Sequence, residues 1–74
     1  MMGEVDVEVV DVRRADVHGV IYVDVSIRQP GGATAVARLG SESVPDDLQV
    51  GEHVLAMKVA NMVVSIRRPE RGVR

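Results

Sequence analysis

The stretch that decides the fold is residues 20 to 28, which read VIYVDVSIR. Apolar and polar side chains alternate strictly along it, and four apolar side chains share one face: Ile21, Val23, Val25 and Ile27. This pattern predicts a half-buried β-strand. The next four residues are Gln29-Pro30-Gly31-Gly32, in which Pro30 suits the first central position of a type II turn and Gly31 the second. They predict a hairpin, with a return strand over residues 33 to 39.

Two further strands are predicted from the same alternation, over residues 5 to 10 and 53 to 59, and the hydrophobic run over residues 62 to 67 predicts a fifth. Asp11 to Gly19 is polar and ends in glycine, which predicts a turn or loop. Gly40 to Gly51 is the longest interruption. Within it, Ser43 and the acids that follow predict one helical turn, with Ser43 as its N-terminal cap.

Five short strands with one longer connection between the third and the fourth indicate an all-β fold, a small five-stranded OB-like barrel. An SH3-like barrel has about the same number of strands and is the alternative, because spacing along the chain does not determine strand order. We expect residues 1 to 68 to form one barrel domain. Residues 69 to 74, which begin with a proline and continue with polar residues, are predicted to be a flexible tail.

Composition narrows the classes of function. The chain has 74 residues, of which 46% are hydrophobic and 27% charged, with 17 valines and one aromatic residue. The net charge of −2 disfavours nucleic-acid binding, and the absence of cysteine excludes disulfides and thiolate ligands. No cationic leader or long apolar run is present, so we expect a cytoplasmic protein without membrane insertion. A core this small predicts association with further copies or docking to a larger host protein.

The serines and histidines of the chain are not spaced as a catalytic site requires. The serines lack a neighbouring base, and the histidines His18 and His53 are two ligands without a third, so no catalytic residue, metal site or cofactor is predicted. Asp46-Asp47 is interpreted as a helix-start pair rather than a cation site. Met57 and Met62 are either core residues or contact residues at an interface.

The second half of the chain carries a family resemblance. A strand ending in Arg38-Leu39 is followed by a polar loop and then by LQVGEHVLAMK over residues 48 to 58, and this order resembles the TOBE and molbindin-like barrels of transport systems. The resemblance implies a non-enzymatic, oligomeric domain that holds a small oxyanion at a subunit interface. Its ligand-binding positions carry over to Lys58, Ala60 and Asn61.

Two alternatives stay open at this point. One is a structural or protein-interaction module that holds no small ligand. The other is an OB fold that binds single-stranded nucleic acid through Tyr22, Arg28 and Arg38, although one tyrosine cannot provide the several stacking platforms that such a surface uses.

Overall fold

The computed structural model describes residues 2 to 70, and it confirms the all-β fold. Residues 71 to 74 of the predicted tail lie outside the described residues. Five strands and one short 3-10 helix follow each other along the chain: β1 (Met2–Val17), β2 (Val20–Arg28), β3 (Thr34–Gly40), η1 (Ser41–Ser43), β4 (His53–Val59) and β5 (Met62–Arg67). The predicted bounds of β2, β4 and β5 are therefore confirmed, and those of β3 differ by one residue at each end.

The strands form one antiparallel sheet in the order β3-β2-β1-β4-β5. β1 belongs to both halves of the sheet. Its beginning pairs with β4, from Met2 opposite Val59 to Glu8 opposite His53, and its remainder pairs with β2. Because β4 returns to β1 instead of following β3, the first four strands form a Greek key, which is the arrangement of an OB-type barrel. The edge strands β3 and β5 come within contact distance of each other as the sheet curls.

The prediction of a loop from Asp11 to Gly19 is wrong, since β1 continues to Val17 and only His18-Gly19 forms the turn. The register with β2 shifts between Val9 and Asp11, which leaves Val10 as a β-bulge. Because of this extra residue, the side chains of β1 that face the core have odd numbers before the bulge and even numbers after it. The alternation seen in the first half of the strand therefore does not continue in the second half. His18 and Gly19 have φ of 53° and 84°, as a two-residue type I′ hairpin turn requires.

Two loop predictions have different outcomes. The type II turn after β2 is confirmed, because the Gly32 amide donates to the Gln29 carbonyl at 2.9 Å and Gly31 has a φ of 94°. A helical turn does follow β3, but Ser43 is its last residue and not its cap. The turn begins directly after Gly40, with no side-chain hydrogen bond at its start.

The core consists of aliphatic side chains from every strand and one loop. Val9, Val25, Ile27, Val54 and Ala56 have no exposed surface. Leu48, from the loop between η1 and β4, is also buried and closes the barrel from outside the sheet. No polar or charged side chain of residues 2 to 70 is buried, so any polar site must lie on the surface.

Candidate functional site

Lys58 lies at one end of the barrel, on the inner face of β4. Val54 and Ala56 precede it on that face and are fully buried, whereas Lys58 is half-buried. Its ammonium Nζ donates a hydrogen bond to Oε1 of Gln29 at 2.9 Å, across to the turn after β2. The aliphatic part of the side chain therefore covers the end of the core, and the charge reaches a polar partner at the rim.

The three predicted ligand-binding residues do not form one site. Lys58 and Ala60 line a shallow depression of about 240 Å³, together with residues 2 to 5 of β1. Asn61 instead lines a cavity of about 260 Å³ in the seam between β3 and β5. Ala60 and Asn61 are the exposed two-residue turn between β4 and β5, where Ala60 has a φ of 56°. The structure thus brings Lys58 and Ala60 together but separates Asn61 from them.

The depression beside Lys58 also contains a carboxylate. Glu4 lines it and accepts two hydrogen bonds from the Arg67 guanidinium, at 2.6 and 2.9 Å. These hydrogen bonds lower the pKa of the Glu4 carboxyl below its usual value. An oxyanion in this depression would therefore meet one ammonium and one ionised acid, and the positive charge of Arg67 is already paired.

The outer side chains of β4 are mostly apolar, and the Arg67–Glu4 ion pair crosses them from β5 to β1. Leu55 and Met57 are half-buried there, and Val59 is 43% exposed. Two methionines from the neighbouring strands extend this surface: Met2, which pairs with Val59 and is 68% exposed, and Met62, which also pairs with Val59 and is 69% exposed. We call these five residues the β4 face. β4 thus directs a lysine inward at one end and its largest apolar side chains outward, the reverse of an ordinary barrel strand.

Cross-strand pairing arranges the β4 face and its neighbours in three rows, of which the first has opposite charges at its two ends. In the first row Leu55 lies between Asp6 on β1 and Arg67 on β5. In the second, Met57 lies between Glu4 and Ser65. In the third, Val59 lies between Met2 and Met62. The β1 side of the face is therefore acidic, and the Arg67 side chain, which begins on the β5 side, reaches across β4 to the Glu4 carboxylate.

Sequence reasoning missed this surface as a site. The alternation in the sequence places Leu55, Met57 and Val59 on one side of β4 and leaves open whether Met57 and Met62 are core or interface residues, but it does not show that this side faces outward. The signal in the sequence is misleading here, because Lys58 shares a face with Val54 and Ala56. A charged residue normally marks the solvent side of a strand, and here it lies at the end of the inner side.

The outer surface of β2 and β3 is the candidate surface for nucleic acid. Tyr22 lies there between the small residues Ala15 and Gly40. Arg38 donates two hydrogen bonds to the carboxylate of Asp24, at 2.7 and 2.9 Å, and these lower the pKa of Asp24. Arg28 donates to Glu8 at 2.9 Å.

Both arginines of this surface are thus paired with an acid. A phosphate backbone would have to compete with those carboxylates for the guanidinium groups.

The remaining titratable residues are dispersed. His18 lies in the turn between β1 and β2, whereas His53 begins β4 with its Nδ1 3.6 Å from the Asp6 carboxylate. Asp46 and Asp47 are exposed in the loop before β4 and do not cap the helical turn. Between residues 2 and 70 no three histidine or acidic side chains group as a metal site would require.

One ion-paired cluster holds the long loop to the end of β5. The carboxylate of Glu52 accepts hydrogen bonds from Arg68 at 2.8 and 3.0 Å and from the backbone N–H of Gln49 at 2.8 Å. Arg68 also donates to the Asp47 carbonyl at 3.2 Å. These hydrogen bonds lower the pKa of Glu52 from 4.5 to about 2, and those from Arg68 have a larger effect than the one from Gln49. The cluster is structural, because it fastens the loop that carries Leu48.

Comparisons with known proteins add no relative: no family model matches the chain, and neither a curated protein nor a solved structure is significantly similar to it. In the described part of the chain, no helix has the length and apolar character needed to cross a membrane.

Proposed function

We propose that this chain is a non-enzymatic binding and self-association module with an OB-type fold. The observation that carries the proposal is the outward apolar surface of β4, where Leu55, Met57 and Val59 lie on the side that a lone barrel exposes to water. Exposed aliphatic side chains on a sheet face are typical of a surface that packs against another protein layer.

The composition of the β4 face supports an interface more than a small-molecule site. Methionine supplies two of its most exposed positions, and methionine side chains adapt readily to an apposed surface. The depressions around the molecule are shallow and open, and in residues 2 to 70 no buried polar side chain points into them. A flat apolar surface binds a flat partner better than it binds a small polar ligand.

Sedimentation velocity measurements across a range of concentrations, from low micromolar to near millimolar, test the proposal. We expect a weight-average mass above the 8.0 kDa of one chain, rising with concentration. A mass of 8.0 kDa throughout that range would contradict self-association.

A second candidate function is oxyanion binding in the depression that Lys58 and Ala60 share. The observation in its favour is that these two of the three residues implied by the molbindin resemblance do line one depression. Calorimetric titration with molybdate, tungstate, sulfate and phosphate tests it, with Lys58→Gln as the matched variant. Binding heat that Lys58→Gln removes would support this function, and the absence of heat in the unchanged protein would contradict it.

We further propose that the module is a cytoplasmic, transport-associated domain of the TOBE or molbindin type. Supporting this are the resemblance over residues 35 to 58 and the lack of cysteine. Fractionation of cells that produce the protein tests the compartment. Recovery with the cytoplasmic fraction is expected, and recovery outside the cell would contradict the proposal.

A further inference from the structure

We propose that the second half of β1 pairs edge to edge with the same segment of a second copy, in an antiparallel register that places the two Ala15 residues opposite each other. This inference rests on the proposed self-association, and it assigns the contact between copies to a strand edge that contains no residue of the β4 face. A two-fold interface brings together identical segments, so a segment must be complementary to itself. Residues 13 to 17 meet that condition.

The second half of β1 is an open edge of the sheet. The ladder with β4 ends where Glu8 pairs with His53, and among the described residues the loop before β4 bonds to the β1 backbone at Val9 and no further along it. Between residues 11 and 17, β1 pairs with β2 alone in the described part of the chain. An edge of this kind presents N–H and C=O groups that a strand of another chain can bind.

The backbone groups of Arg14 and Asp16 are directed at this open side. Val17 and Val20 flank the two-residue turn of the hairpin and therefore form a hydrogen-bonded pair. Hydrogen-bonded and non-hydrogen-bonded pairs alternate along an antiparallel ladder, so Arg14 and Asp16 lie at positions that do not bond to β2. Each of them thus directs one N–H and one C=O away from β2.

The charged side chains select the register. When the two Ala15 residues lie opposite each other, each Arg14 pairs with Asp16 of the second copy. Opposite charges directly across an antiparallel pair are favourable, and like charges are unfavourable. Registers centred on Arg13, Arg14 or Asp16 would place like charges opposite each other. A centre closer to Val9 would bring the second copy against the loop before β4.

The side chains of this edge are available for the contact. Arg14 and Asp16 are exposed, and Arg14 has no ion-pair partner among residues 2 to 70. Asp16 uses only its Oδ1 to accept the Gly19 N–H at 2.9 Å, so its other oxygen can accept from an arginine. On the opposite side of the sheet Tyr22 lies beside Ala15, and pairing brings two tyrosines and two alanines into one row.

Charge exchange tests the register. Arg14→Asp places acids opposite acids and Asp16→Arg places arginines opposite arginines, so each variant should dimerise at least about tenfold more weakly than the unchanged chain. Both substitutions together restore opposite pairs, as does an equimolar mixture of the two single variants, and in both cases we expect dimerisation to recover. Sedimentation velocity measures it, and circular dichroism checks that each variant is folded. Unweakened single variants, or a double variant as weak as they are, would overturn the proposed register.

Amide hydrogen exchange tests the backbone contact separately. The N–H groups of Arg14 and Asp16 should exchange more slowly as the protein concentration rises, whereas those of Arg13 and Ala15, which bond to β2, should change less. Asp16→Asn is the matched control for Asp16→Arg, because its side-chain oxygen still accepts the Gly19 N–H, and it should weaken the dimer less. Exchange of Arg14 and Asp16 that is independent of concentration in a protein that associates would contradict edge pairing.

These results separate the inference from the proposed function. If the unchanged protein associates, and Met57→Lys on the β4 face weakens association but Arg14→Asp does not, the β1 edge is not the contact and self-association stands. If the unchanged protein keeps a mass of 8.0 kDa at all concentrations, self-association fails and the inference fails with it.

Discussion

Ala60 occupies a backbone conformation that suits glycine better. In the two-residue turn between β4 and β5 it has a φ of 56°, a positive value that residues other than glycine rarely adopt. A β-carbon in this left-handed region clashes with the following carbonyl at a cost of about 1–2 kcal/mol. Ala60 was implicated in ligand binding by resemblance, and the structure identifies it as a strained turn position as well.

Ala60→Gly should therefore raise the free energy of unfolding by about 0.5–1 kcal/mol. Relief of the backbone strain stabilises the fold, and the greater freedom of glycine in the unfolded chain cancels part of that gain. Urea denaturation gives the free energy of unfolding. Ala33→Gly is the matched control, because Ala33 is also exposed between two strands but has no positive φ, and there the substitution should destabilise. A loss of stability in Ala60→Gly would contradict the strain argument.

Glu52 makes stability depend on pH in the acidic range. Its pKa in the folded protein is about 2, against a usual value of 4.5, so its ionised form stabilises the fold above pH 4.5. That contribution is lost as the pH falls from about 4.5 to about 2, since protonation then breaks the bonds to Arg68 and Gln49. Glu4 and Asp24, whose pKa values are also lowered, act in the same direction.

We expect the thermal midpoint to decrease between pH 5 and pH 2, and to decrease less in Glu52→Gln, which cannot lose a charge. Circular dichroism melts at constant ionic strength measure both. Glu42→Gln is a suitable control, because Glu42 is exposed and has no ion-pair partner among the described residues. If Glu52→Gln and the unchanged protein decrease in parallel, the Arg68 pair has no measurable role.

At the scale of the elements, alternation predicted the strands wherever one face of a strand meets the core. β2 was delimited correctly because its inward side chains alternate with polar ones over its full length, whereas the bounds of β4 and β5 follow from the breaks that flank them, at Gly51-Glu52, Ala60-Asn61 and Pro69. β1 was cut short for two physical reasons: the bulge at Val10 reverses the alternation, and the tip of the β1–β2 hairpin extends beyond β3. At that tip there is no core to cover, so a residue such as Asp16 carries no hydrophobic signal.

The loop between η1 and β4 takes part in the core through one side chain. Leu48 is 8% exposed, and it contributes to the same apolar cluster as the strands. Leu48→Ala should lower the free energy of unfolding by about 2–4 kcal/mol, from the lost transfer energy and the cavity left behind. In a domain whose core supplies only a few kcal/mol, that change populates the unfolded state.

Chemical denaturation at fixed protein concentration measures this effect. Val50→Ala is the control, because Val50 lies two residues away in the same loop and is 63% exposed. This substitution should change the free energy of unfolding by no more than about 0.5 kcal/mol. Equal effects of the two substitutions would show that the loop does not close the barrel.

At the scale of the whole molecule, strand order could not be predicted from the sequence, and the candidate site depends on it. Asp6, Leu55 and Arg67 form a row only because β4 pairs with β1 on one side and with β5 on the other. These residues are far apart in the chain, and an SH3-like order would have separated them. The fold class, in contrast, follows from local patterns, so it could be predicted.

Coupling of association to folding gives a further prediction. A dimer whose interface exists only in the folded state is stabilised by mass action, so its thermal midpoint rises with protein concentration. A hundredfold increase should raise the midpoint by roughly 5–10 °C in a domain of this size. Melts of Arg14→Asp should depend less on concentration. An unchanged protein that melts independently of concentration would contradict a folding-linked dimer.

The central position of β1 also affects how fast the chain folds. Its second half meets β2 through a two-residue turn, a local step, whereas its first half must wait for β4, which arrives only after the long loop. Pairing between such distant segments pays the entropy of loop closure before it gains contacts. We therefore expect the hairpin to form early and the β1–β4 ladder to limit the refolding rate, with the hydrogen-bonding groups along Met2 to Glu8 open to wrong partners in the interval.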